Sequence, residues 1–225
     1  MSKQITLKEL NKNFEEFKKY VLDRFEKDFK VNVEKELIDE PAPCLSSYTE
    51  IGTEIDIGEL GTIRLLDLNY NGTGKKIWQL TKIYKPGEVS LGLPNDKNDD
   101  GYPTAKGIEE TLDELFKKIP KWVKEQIVGV KIPCYIPEKK ENIDCLCRLF
   151  LLSATEMCQN RPYLAKEGKP LEYYIKNTPV WERWHWLRTP YLLGSYVWGG
   201  CNGSGGVSYD GTSDCYGVAP AFCTD

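Results

Sequence analysis

Apolar residues at Leu7, Leu10, Phe14, Phe17 and Val21 follow the 3-4-3-4 spacing of a coiled-coil seam, and Phe25 and Phe29 continue it by fours. Thr6 and Glu9 stand at capping-box spacing ahead of this run. The pattern predicts an amphipathic helix over residues 6–30, with Glu15, Glu16, Lys18, Lys19, Asp23, Lys27 and Asp28 on its other faces. A lone helix of this length gains little from propensity and must pack on something. Residues 1–40 are therefore expected to be a helical attachment segment and linker. Leu7, Leu10, Phe14, Phe17 and Val21 would be its contact face toward a partner or further copies of the chain.

Pro41 and Pro43 end helical character within 38–47, and from Ile51 the period shortens. Runs of β-prone residues at Glu54–Ile57, Gly61–Leu66 and Lys76–Tyr84 are punctuated by Asn71-Gly72 and Gly74, which read as turns. A second helical period covers 107–128, with Ile108, Leu112, Leu115 and Phe116 on one face and Trp122, Val123 and Ile127 beyond Pro120. Strands are expected at Gly129–Ile136 and Arg148–Leu152. A short helix is expected from Ser153, with Glu156 completing its capping box. Three further short strands are read at Ser195–Trp198, Gly206–Tyr209 and Tyr216–Phe222. The whole predicts an α+β domain over 50–225, with short antiparallel strands and two helices behind the N-terminal helix.

Charge and composition narrow the function. The net charge of −4 lacks the basic excess that a nucleic-acid or anionic-membrane surface needs. The first residues, MSKQITLKEL, hold no apolar stretch of the secretory kind, so no leader is expected. With no leader expected, the eight cysteines are read as reduced thiols. Cys145-x-Cys147 is not a zinc-knuckle spacing, and His185 is the sole histidine, so no metal and no cofactor is expected. Asp96-x-Asn98-x-Asp100-Gly101 copies the first half of a calcium loop, but Gly107 stands where a bidentate glutamate is required. It is read as a solvated loop. His185, inside the Trp184–Trp186 run, is read as a packed, hydrogen-bonded side chain and not as a general base.

Residues 181–225 are the most distinctive text. Trp184-His185-Trp186-Leu187-Arg188-Thr189-Pro190, a glycine-rich stretch, and then Tyr216-Gly217-Val218-Ala219-Pro220-Ala221-Phe222 resemble the closing signature W-W-L-R-S-P … G-V-R-P-A-F. That signature belongs to a family of domains in Gram-positive bacteria and their phages. Leu65-Leu66-Asp67, Tyr70-Asn71-Gly72-Thr73-Gly74, and Phe150-Leu151-Leu152-Ser153 with Glu156 are similar to its earlier segments. The family resembles the C-type-lectin-like fold of formylglycine-generating enzymes and of retroelement-diversified variable proteins. This chain departs from the signature at His185, where tryptophan is usual, and at Ala219, where arginine is usual.

The resemblance implies that Trp186, Leu187, Val218 and Phe222 are scaffold and that Arg188 bridges backbone carbonyls. The stretch Tyr191–Asp214 between them carries aromatic, hydroxyl and amide groups, the palette of recognition loops on rigid frames. The expected ligand-binding residues are Tyr191, Tyr196, Trp198, Asn202, Ser204, Tyr209 and Asp210. The implied function is a non-enzymatic phage virion or particle-surface protein of decoration, fibre or receptor-binding type. It would be made in the host cytoplasm, attached to other virion proteins or to itself, and presented to a host glycan or protein. Membrane insertion and nucleic-acid binding are not expected. Two other readings stand beside it. One is a structural cement protein without an external ligand. The other is a cysteine-dependent enzyme using Cys201 and Cys215.

Overall fold

The computed structural model describes Lys18, Lys19, Leu22 and residues 42–91, 106–136, 139–179, 181–190, 192, 198–201, 206–211 and 213–225. Two compact units are distinguished, Met1–Pro43 and Cys44–Asp225. In the first, Lys18, Lys19 and Leu22 are helical. The expected attachment residues Leu7, Leu10, Phe14, Phe17 and Val21 lie outside the described residues.

The second unit is built on two sheets. Strands β1 (Glu54–Asp56), β2 (Thr62–Asp67), β3 (Lys76–Leu80) and the terminal β11 (Ala221–Thr224) form one, in the order β1-β2-β3-β11 and antiparallel throughout. The other contains β4 (Tyr84–Ser90), β7 (His185–Pro190), β8 (Trp198–Cys201), β9 (Val207–Asp210) and β10 (Cys215–Val218). Its order is β4-β10-β7-β8-β9, antiparallel except for the β10–β7 pair. A separate hairpin joins β5 (Val130–Ile136) to β6 (Glu141–Cys147).

The chain passes between the two sheets twice, at 81–83 and at Ala219-Pro220, and these corners bond to each other. The Leu80 amide donates to the Pro220 carbonyl at 3.0 Å, and Gln79 Nε2 donates to the Ala219 carbonyl at 3.0 Å. Proline suits this corner because it has no amide to satisfy in either ladder. It also explains why the expected Tyr216–Phe222 run is two strands and not one. Lys76–Tyr84 is divided in the same way, into β3 and the start of β4.

Helix α1 (Lys106–Lys118) lies against both sheets. Ile108 and Leu112 pack with Val89, Trp186 and Val218, whereas Leu115 packs with Trp78, Leu80 and Phe222. Pro120 interrupts the expected 107–128 helix, which resumes as α2 (Lys121–Lys124) and adds Val123 to the second cluster. On the opposite face of the first sheet, Leu66, Ile77, Ala221 and Cys223 pack with Tyr70, Phe150 and Met157. The alternation of residues 77 to 80 and 221 to 223 between the two clusters is the period of two of a strand buried on both faces.

Two expectations are corrected. Arg148–Leu152 is not a strand; only Phe150 bridges to Ala221, and the neighbouring strand is β6, upstream of it. The segment from Ser153 is a turn and not a helix. It makes one α-helical bond, from Met157 to the Ser153 carbonyl, and one tighter bond from Cys158 to the Thr155 carbonyl, and then stops at Cys158, whose φ of 59° is left-handed. The short helix α3 (Glu172–Lys176), which periodicity had not marked, follows.

Gly217 sits where β10 crosses the turn into β4. A Cβ there would collide with Ile83 Cγ2 and stand 2.8 Å from the Tyr84 carbonyl oxygen. Gly217→Ala is expected to destabilise the fold by roughly 1–3 kcal/mol or more, by overpacking. A lowered urea midpoint with an unchanged slope would register this, and an unchanged midpoint would contradict the packing described.

Candidate functional site

The glycine-rich stretch forms the outer half of the five-stranded sheet. Register sets Trp198 opposite Asp210 and Gly199 opposite Tyr209, so three of the seven expected ligand-binding residues lie on one hairpin, Tyr209 on the face opposite to the other two. β9 is the edge strand. At the turn end of the hairpin Val207 is buried and belongs to the core cluster that also holds Trp181, Leu187 and Tyr174. Tyr191, Tyr196, Asn202 and Ser204 lie outside the described residues, as do Asp96, Asn98 and Asp100.

Beside the hairpin in the same sheet, all six residues of β7 are buried. Its Arg188 guanidinium pairs with Glu156. Nη1 reaches Oε2 at 2.6 Å and Nη2 reaches Oε1 at 2.7 Å, a two-pronged arrangement that suits a planar fork. Arg188 also donates to the Leu151 carbonyl at 2.7 Å and the Pro133 carbonyl at 3.3 Å, in keeping with the carbonyl-bridging role expected of it. Glu156 accepts further bonds from the Tyr70 hydroxyl at 2.7 Å and the Ser153 amide at 2.9 Å. The capping box expected from Ser153 and Glu156 is therefore made, with the Glu156 amide donating to Ser153 Oγ at 3.1 Å, although the segment is not a helix. Gly168 must lack a side chain, because a Cβ there would lie 2.7 Å from Glu156 Oε1.

A second carboxyl, Glu167, adjoins the pair. It accepts from the Tyr135 amide at 2.7 Å and from Thr189 Oγ1 at 2.9 Å, while Thr189 accepts from the Ala154 amide at 2.8 Å. Segments 133–135, 151–156 and 167–168 are thereby tied to β7 by polar groups that are almost fully enclosed. Ala219 is buried without a charge, and the enclosed guanidinium here is that of Arg188. This second carboxyl was missed in the sequence because Glu167 lies in a plain polar run with no spacing signal.

His185 is fully buried against Trp181, with ring centroids 4.5 Å apart. It is packed, as expected, but neither ring nitrogen makes a well-formed hydrogen bond. Register sets it opposite Cys201. Cys44, Cys134, Cys145, Cys147, Cys158, Cys215 and Cys223 are free thiols. Among the described residues no three histidine, cysteine or acidic side chains gather as a metal site, and no helix is long and apolar enough to cross a membrane.

A family model described as "Domain of unknown function (DUF6273)" matches residues 98–225, which is 128 of 225 positions. The chain belongs to the DUF6273 family. No curated protein and no solved structure matches it. The match begins after β4, yet β3 and β4 pair with β11 and β10 inside it. The folded unit of this DUF6273 member therefore extends upstream of the matched region.

Electrostatics in this unit divide sharply. Burial raises the Glu167 carboxyl to about 7, only partly opposed by Arg188. Burial lowers the His185 imidazole to about 3, and the Arg183 backbone opposes this only slightly. For Arg188, burial is the largest single effect and pulls downward, but the Glu156 charge and hydrogen bonds together with Tyr70 and Glu167 outweigh it, and the guanidinium is held charged.

Removing the guanidinium would leave Glu156 enclosed without a counter-charge. Arg188→Met is expected to cost roughly 3–5 kcal/mol, read from denaturant unfolding. A loss below about 1 kcal/mol, the scale of exposed pairs, would contradict this.

The pH dependence has two opposing parts. Glu167, raised from 4.5 to about 7, contributes stability that is complete below 4.5 and lost as pH rises through 7. His185, lowered from 6.5 to about 3, contributes stability that is complete above 6.5 and lost as pH falls toward 3. Between 4.5 and 6.5 the two slopes cancel. Glu167→Gln should uncover the histidine slope there, with stability rising by up to about 1.4 kcal/mol per pH unit. Urea midpoints across that window measure it. Parallel profiles for the two proteins would refute the assignment.

Proposed function

We propose that this protein is a non-enzymatic particle-surface component of a phage virion, of decoration, fibre or receptor-binding type. In this reading a C-type-lectin-like domain holds out a ligand-binding hairpin, and residues 1–40 attach it to other virion proteins or to copies of itself. The observation that carries the reading is the β8–β9 hairpin, which carries Trp198 opposite Asp210 and Tyr209 opposite Gly199 at the edge of a sheet whose central strand is fixed by buried charge. A rigid frame with an aromatic, hydroxyl-bearing and acidic edge suits recognition, because large side chains there make contact area at small entropic cost. An edge strand also leaves backbone donors and acceptors to which a partner strand can add.

The distribution of reactive groups points the same way. Glu156, Glu167, Arg188 and His185 are each at most 3% exposed, and a general acid or base must reach its substrate. A histidine held at about 3 is a weak base at neutral pH.

One experiment tests both halves. A Trp198→Ala/Tyr209→Ala variant is expected to fold normally, join its particle and lose binding to the host surface. A chain lacking residues 1–40 is expected to fold but fail to join the particle. Surface binding that survives the double substitution, or assembly that survives the deletion, would remove the corresponding half.

A further inference from the structure

The β5–β6 hairpin has one open edge. On β5 the Tyr135 amide donates to Glu167 and the Pro133 carbonyl accepts from Arg188, so the backbone at both positions faces away from β6. Their register partners are Asn142 and Asp144. Residues opposed in this way form the non-hydrogen-bonded pairs of an antiparallel ladder. Asn142 and Asp144 therefore turn their own amides and carbonyls outward, and Leu146 follows with the period of two. Among the described residues no strand other than β5 pairs with β6.

Edges of this kind are ordinarily protected by shortness, proline, bulges or covering segments. The other described edges follow that rule. β1 has three residues and β9 has four. β11 is covered by the Val128 and Phe150 bridges. β4 carries Pro86 between Lys85 and Gly87, both in left-handed backbone, and its ladder with β10 shifts register. β6 lacks all of these features. Its seven residues include no proline, and they pair with β5 without a shift.

The outer side chains of β6 describe the strand that would fit. Leu146 is 70% exposed, and Gly129 beside it has no side chain to cover it. Asp144 and Arg148, the residue after β6, flank it at spacings of two. Both are exposed, and neither makes an ion pair among the described residues. An apolar residue between an acid and a base is complementary to its own antiparallel copy. A two-fold axis at Leu146 sets the two leucines together and each Asp144 opposite an Arg148. An axis at Asp144 would instead oppose two carboxylates, which is unfavourable.

We infer that β6 is a docking strand for a second copy of this chain, pairing antiparallel with the copy's β6 so that two hairpins join into one four-stranded sheet. Leu146 meets its own copy at the centre, and two Asp144–Arg148 pairs set the register. The overlap is short, so the contact is weak and reversible. It uses neither the β8–β9 hairpin nor residues 1–40, and it does not rest on the virion reading.

The test is sedimentation equilibrium of the full chain at concentrations up to about 1 mM, the weak end of measurable association. A reversible association step is expected. Asp144→Arg and Arg148→Asp should each weaken it by roughly tenfold or more, because symmetry counts every like-charge contact twice. The double variant Asp144→Arg/Arg148→Asp should return it to within about threefold of the parent, since the two changes are coupled. Leu146→Asp should abolish the step. The Asp144 and Leu146 amides should exchange with deuterium more slowly as the chain is concentrated. Phe14→Glu/Phe17→Glu, which breaks the expected N-terminal seam, should leave the step in place. The inference is overturned if the parent stays monomeric, if the single charge reversals associate as the parent does, or if the double variant stays dissociated. It is also overturned if the Phe14/Phe17 variant loses the step.

Discussion

The structure depends on one enclosed ion pair. Arg188 and Glu156 come from segments that share no ladder, and neither can be withdrawn from the interior without leaving the other's charge uncompensated. A buried pair of this kind adds little net stability over a well-packed apolar alternative, because desolvation offsets most of the attraction. It contributes definition instead. The guanidinium can satisfy the Leu151 and Pro133 carbonyls and both Glu156 oxygens in only one relative placement of β7, the 151–156 turn and β5. Glu167 and Thr189 extend the same lock to 167–168, and Glu167 accommodates the surplus acidity by holding a proton up to about neutral pH.

This lock sets a division of labour between the sheets. The first sheet is closed by the terminal strand between β3 and the bridging residues Val128 and Phe150, and it is packed on both faces. The second begins packed, at β4 and β10 under α1, and ends at the edge strand β9. The proposed recognition hairpin sits at that edge, with Val207 buried in the core.

Particular residues show how far the sequence could be read. The periods around Thr62–Asp67, Lys76–Leu80 and Val130–Ile136 were visible because one face of each strand is repeatedly apolar. The Ser153–Glu156 box was visible as a spacing, but whether a helix would follow was not. That was decided at Cys158, whose left-handed backbone no local rule demands of a cysteine. Glu141–Cys147 was missed because its outer face is polar and its strand character comes from pairing with β5.

The resemblance supplied the scaffold role of Trp186, Leu187, Val218 and Phe222 and the carbonyl-bridging role of Arg188, while the sequence by itself determined the strand and helix periodicities, the end of helical character at Pro41 and Pro43, and the capping pair. These are local properties: a proline lacks an amide wherever it stands, and an alternating run has one apolar face in any fold. Only the tertiary structure decided that Arg188 meets Glu156 across 32 positions, that Glu167 joins them, that His185 is enclosed against Trp181 without a well-formed hydrogen bond, and that Arg64, Tyr173 and Trp181 line one recess. Each of these depends on groups distant in the chain being brought into a shared, water-poor space, where charge and hydrogen bonding take values that no stretch of sequence carries alone.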